Sequence, residues 1–218
     1  MKKVLAIILA IALLCIIAVG TTLSYFKDEA YNANTMTVGK VGISQTINGS
    51  ATVSSSYALF PVTAEPDSTT GLVPVANNGV NLDVVVTVDS DSEDAYVRTI
   101  FAFELKANGA SPIGTDVKLV GTGITMTNIT FTKNGVQYIV GICDYGKVSK
   151  DATLSSLKQV YLDKTVGNEF SPAVNGAYDI LVLSQAVQAQ GFNSTDAAMT
   201  AAYGALTAEN LATWFANR

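Results

Sequence analysis

The chain contains no histidine, and that absence narrows the available chemistry at once. His-based zinc sites, Ser-His-Asp triads and Cys-His dyads are all excluded, because each needs an imidazole as ligand or base. Neither a G-x-x-x-x-G-K-[ST] nor a G-x-G-x-x-G loop is present, so nucleotide phosphates have no sequence cradle. Gly121-Thr122-Gly123 reads as a turn. Cys143 ends the apolar run Tyr138 to Cys143 with no histidine to draw off its proton, which predicts a buried, inert thiol. The one grouping of charge with metal-like spacing is Asp89-Ser90-Asp91-Ser92-Glu93-Asp94. Alternate carboxylates suit a hard cation, yet the sixth position lacks the glycine of an EF-hand loop and the stretch joins two strand-like runs. It reads as a solvated acidic turn. These residues predict a protein that is not an enzyme and carries no cofactor. A hydrolase using paired carboxylates would need a pairing that a single sequence does not display.

The composition is that of a chain that should fold. Hydrophobic residues make up 49% and charged ones 14% of 218 residues, which is enough apolar surface for a packed core. The net charge is −5, and loss of Lys2 and Lys3 would make it more negative. Such a surface repels nucleic acid and anionic membranes. The scattered aromatics, without a basic surround, do not form a stacking platform for nucleic acid.

From Tyr25 to about Leu183, short runs rich in Val, Thr, Ile, Tyr and Phe alternate with Gly, Asn, Asp and Ser clusters. This is the pattern of an all-β chain. Expected strands are Thr35 to Ile47, Leu82 to Asp89, Tyr96 to Leu105, Val117 to Val120, Ile124 to Thr132, Val136 to Cys143, Val160 to Leu162 and Tyr178 to Gln185. Asn134-Gly135 predicts a two-residue type I′ turn, hence a hairpin with one apolar face. Leu82, Val84, Val86 and Val88 alternate with Asp83, Val85, Thr87 and Asp89, as in a strand inside a sheet. Over 194–217 the period changes. Asn193 to Asp196 offers caps for Ala197 to Tyr203 with Gly204 as a stop, and Thr207 caps a second helix through Trp214 and Phe215.

The first residues read as an export signal. Met1-Lys2-Lys3 precedes an uncharged run from Val4 to Gly20, a positive n-region followed by an apolar h-region. Thr22-Leu23-Ser24 supplies small side chains for cleavage between Ser24 and Tyr25, giving a signal peptide over 1–24 and a domain over 25–218. An uncleaved anchor is the alternative, and either arrangement puts the domain outside the cell. Cys15 lies in the h-region, so the mature chain keeps Cys143 alone and has no internal disulfide.

Three stretches carry a resemblance. Tyr25-Phe26-Lys27-Asp28-Glu29 followed by Asn34-Thr35-Met36-Thr37-Val38-Gly39 and Val41-Gly42-Ile43 is similar to the start of mature TasA and camelysin-type proteins, which are bacterial matrix and surface proteins. Met36 stands where that family commonly has an aromatic. Asp94-Ala95-Tyr96-Val97-Arg98, and Gln185-Ala186-Val187-Gln188-Ala189-Gln190-Gly191-Phe192 before an Ala-rich helix, resemble wider members with the same signal type. The resemblance implies export through a specialised signal peptidase and a jelly-roll-like β-sandwich with short C-terminal helices. It also implies a homopolymer in which the freed N-terminal segment adds as a strand to the next subunit. Residues 25–35 are then the donor-strand candidate, with Tyr25, Phe26, Lys27, Asp28 and Tyr31 as assembly residues. Accessory matrix proteins or cell wall are the further partners that this reading allows.

Two alternatives stand beside it. Tyr25 to Tyr31 would otherwise be a fixed edge strand of its own domain. The protein would otherwise be a monomeric cell-surface adhesin or carbohydrate-binding module acting through its loops.

Overall fold

A computed structural model describes residues 27–29, 40–51, 54–167 and 178–216. Ser24, Tyr25, Phe26, Tyr31 and the expected signal peptide lie outside these residues. The fold is built mainly of antiparallel strands, with two short helices near the C-terminus. Among the described residues no helix is long and apolar enough to cross a membrane.

The first sheet is organised around strand β12 (Tyr178–Gln188). It pairs on one side with β6 (Ala95–Glu104), which continues to β9 (Val136–Val148) and β8 (Ile124–Lys133). Its other side holds two short strands in tandem, β1 (Lys27–Glu29) and β3 (Ser54–Tyr57). The second layer contains β2 (Ile43–Ile47), β4 (Val80–Asn81), β5 (Val84–Val88), β7 (Val117–Gly121), β10 (Thr153–Ser155) and β11 (Leu157–Leu162). β10 pairs with β5 in the same antiparallel register in which β11 pairs with β4. Backbone bonds from Leu82 N to Lys158 O and from Ser156 N to Val84 O bridge the kink between them. The layer therefore runs β2, then β4 with β5, then β10 with β11, then β7.

Alternation decides which residues form the core between the layers. In β5, Val84, Val86 and Val88 are buried while Val85 and Thr87 are half-exposed, the face assignment expected from period two. Leu82, Val84 and Ile47 from the second layer pack with Phe101, Phe103, Tyr178, Ile180 and Val182 from the first. Phe101 and Phe103 stack at 5.9 Å. This makes a sandwich of two sheets.

The other face of the first sheet is covered too. The Asn134-Gly135 turn forms as expected, with φ of 51° and 82°. The apolar face of that hairpin does not look into the sandwich. Phe131, Val136, Tyr138 and Val140 pack on the far side against Leu211 and Phe215. Those two residues belong to helix α2 (Ala208–Phe215), capped by Thr207 Oγ1 accepting from Asn210 N. Helix α1 (Thr195–Tyr203) is capped by Ser194 Oγ accepting from Ala197 N and stops at Gly204. Its Tyr203 hydroxyl donates to the Ala186 carbonyl of β12 at 2.9 Å. β12 is thus buried on both faces, and nearly every residue of it is inaccessible.

Three strands escape the expected set, β3, β4 and β10, while β1 falls within the strand candidate over 25–35. β9 runs five residues past Cys143, β11 starts three residues before Val160, and β12 runs three past Gln185.

Candidate functional site

The three motif stretches meet in one corner of the first sheet. Lys27, Asp28 and Glu29 pair with Val187, Ala186 and Gln185, and these pair in turn with Tyr96, Val97 and Arg98. Around the turn that leaves β12, Ala189 N donates to Asp94 O at 2.8 Å and the Tyr96 hydroxyl to Phe192 O at 3.4 Å. Segments far apart in sequence thus form adjacent strands, with the N-terminal one at the rim.

On the helix side of this corner, directly paired residues form a row. Gln185 in β12 faces Arg98 in β6, and Arg98 faces Asp144 in β9. A bulge lets the row reach β9: between Gly146, opposite Val97, and Asp144, opposite Arg98, Tyr145 is the extra residue. Gly146 takes φ of 69° there, and its N–H bonds Asp144 Oδ1 at 2.8 Å. Arg98 Nε and Nη2 both donate to Gln185 Oε1, at 2.9 and 2.7 Å. The guanidinium also lies 5.6 Å from the Trp214 ring centroid, a cation–π contact. Burial pulls the Arg98 pKa down to about 10, opposed by the nearby Tyr203, Asp196 and Asp144. It remains a cation at neutral pH.

Gln185 is left half satisfied. A guanidinium carries only donors, so its two bonds fix the amide oxygen toward Arg98 and turn Nε2 away. That nitrogen is inaccessible to solvent and has no partner. A buried donor without an acceptor costs about 1–3 kcal/mol, and the strand that borders Gln185 on its open side is β1.

The edge that carries β1 is sparsely filled. β3 pairs with Tyr178 to Leu181 and β1 with Gln185 to Val187. Among the described residues, no strand pairs with Val182, Leu183 or Ser184 on that side. In the single chain Lys27 and Asp28 lie on their own domain's edge, which is the fixed-strand arrangement at those positions.

Other residues singled out by sequence fall elsewhere. In the acidic loop, Lys40 Nζ bonds both Asp91 oxygens at 2.9 and 2.7 Å and lies 3.9 Å from Asp89. Lys147 holds Asp94 at 3.0 Å. These lysine bonds are the main cause that lowers the Asp91 and Asp94 pKa values. Among the described residues, no group of three or more His, Cys, Asp or Glu side chains converges as a metal site would. Cys143 is buried, and desolvation raises its pKa, which disfavours the reactive thiolate. Trp214 is half-buried over Arg98 rather than displayed as a sugar platform.

Sequence reasoning reached Arg98 and Gln185 only as members of two motif stretches, because their pairing depends on the register of strands 87 positions apart. A buried polar layer between the sheets went unnoticed for the same reason. There Ser184 Oγ donates to Gln45 Oε1 at 2.6 Å and shares a 2.8 Å bond with Thr99 Oγ1. No protein-family model, curated protein or solved structure matches the chain.

Proposed function

We propose that this is a secreted structural protein whose jelly-roll-like sandwich polymerises into extracellular fibres or matrix by strand addition. The signal peptidase would free an N-terminal segment over 25–35, and that segment would pair with β12 of the next subunit. One observation carries the reading: β12, the last long strand before the edge of the first sheet, is bordered on its outer side, among the described residues, only by short strands, one of which is the three-residue N-terminal β1. A ladder of three residues contributes few hydrogen bonds, so β1 can be exchanged between copies at little net cost, while the edge always needs an occupant for its N–H and C=O groups. The same contact made from chain to chain is head-to-tail and does not close, and repetition gives a filament.

Electron microscopy of the protein purified from the culture medium, beside a variant lacking Tyr25 to Asn32, tests this. Fibres from the first and folded, unassembled particles from the second are expected. Unchanged fibres from the truncated variant would remove the donor strand from the account.

A further inference from the structure

β8 ends the first sheet on the side away from β12, and among the described residues no strand pairs with its outer edge. At ten residues it is twice as long as β2 and β7, the five-residue strands at the two ends of the second layer. An open edge is normally guarded by charge, proline or shortness, yet neither a charged residue nor a proline occurs from Ile124 to Thr132. We propose that this edge is a contact between two copies of the chain, in which the arm over 130–133 of one β8 pairs antiparallel with the same arm of the other about a two-fold axis at Phe131. The contact lies on the opposite edge of the sheet from the proposed strand addition and does not depend on it.

The turn decides which backbone groups are free. Lys133 and Val136 flank the two-residue Asn134-Gly135 turn and are direct partners, so they form a hydrogen-bonded pair. By alternation Phe131 also bonds toward β9, while Thr130 and Thr132 turn their N–H and C=O groups outward. Gln137, opposite Thr132, has the same phase: its carbonyl accepts from Leu105 N at 2.8 Å, on the side of β9 away from β8. Both threonine side chains are exposed. Residues 127–129 do not continue the regular ladder, because the register with β9 shifts between Met126 and Thr130 and Ile129 N is bonded to Thr127 Oγ1 at 3.1 Å. Pairing about Phe131 avoids that break. It sets Thr130 of each copy against Thr132 of the other, a favourable cross-strand match, and lets the outward N–H and C=O groups of both threonines bond. Each Lys133 then lies across from Ile129 instead of the other lysine. The arm thus complements itself, and this marks a second copy as its occupant. A chain of net charge −5 repels its own copies, so they approach at least cost along an uncharged strand.

Disulfide trapping reads this pairing directly. In a Cys143→Ala background, purified chains carrying Thr130→Cys are mixed with chains carrying Thr132→Cys, concentrated and mildly oxidised, and each variant is also oxidised alone. Both positions are exposed, so the variants should keep the circular dichroism spectrum of the parent. Opposed residues of a hydrogen-bonded pair have Cα atoms about 5.5 Å apart, within disulfide reach, whereas like positions of the two copies are diagonal neighbours at about 7–8 Å. A covalent dimer of one variant with the other should therefore form in the mixture and be nearly absent from either variant alone. Equal yields in all three samples, or no dimer in any of them, would overturn the proposal. The cysteines lie on β8, so a failure of strand addition at β12 leaves this result unchanged.

Discussion

The two edges of β12 are made differently. Toward β6 its partners run without interruption from Ile180 opposite Phe103 to Gln188 opposite Ala95, and the side chains along that seam are almost all inaccessible. Toward the rim the same strand meets four residues of β3, then a gap, then three residues of β1. The inner edge is held by a core that bridges both sheets. The outer edge is held by backbone bonds. On the strand-addition proposal, stability and assembly would be separable, one belonging to each side of a single strand.

The largest effect expected is on the inner side. Phe101 is fully buried between the sheets, and Phe101→Ala should cost about 3–5 kcal/mol by lost transfer energy and cavity formation. Urea denaturation should show a lower midpoint in step with that loss. A loss near zero would mean that the seam is not the core.

Alkali should weaken the same side. Burial raises the Tyr145 pKa to about 12 and pushes those of Tyr138 and Tyr178 up as well. A tyrosine whose folded pKa lies above its unfolded value near 10 contributes stability that is complete below pH 10 and is lost as pH rises through the folded value. Arg98 acts with the opposite sign, since its pKa falls to about 10 on folding: relief of its buried charge adds stability above that pH. Three phenols with raised pKa values against one guanidinium make the net change a loss. Melting temperature should begin to fall near pH 9, where the unfolded Cys143 thiol ionises, and fall further beyond about pH 10 as the tyrosines do, and Tyr145→Phe should soften the later fall.

The outer edge should respond least in stability. Asp28→Pro removes a donor from the middle of β1, and proline is tolerated in short edge strands at roughly 1 kcal/mol or less. The melting temperature should move by no more than about 4 °C, while fibre formation seen by microscopy disappears. A large stability loss with fibres intact would reverse the comparison.

Local signals were the legible part of the sequence. The Asn134-Gly135 hairpin, the alternating Val84 to Val88 strand and the helices capped by Ser194 and Thr207 follow from residues within a few positions of one another. What escaped depends on partners. Ser54, Ser55 and Ser56 lack a strand's composition and extend only because Tyr178 to Leu181 offers an edge. β9 outruns Cys143 because a bulge at Tyr145 carries the strand past Asp144 and Gly146. The hairpin's apolar face was legible, but whether a helix or a sheet would cover it was not. The candidate corner was visible as three motifs, and only strand register shows that they adjoin.

The central claim is that β1 of one copy occupies β12 of another. Chains carrying Asp28→Cys can be mixed with chains carrying Ala186→Cys, both in a Cys143→Ala background, allowed to assemble and then oxidised. These positions are direct Cα partners. The account predicts a covalent dimer of one variant with the other, formed only in the mixture. Absence of that species from visible fibres, with each Asp28→Cys, Ala186→Cys double variant closing only on itself, would contradict it.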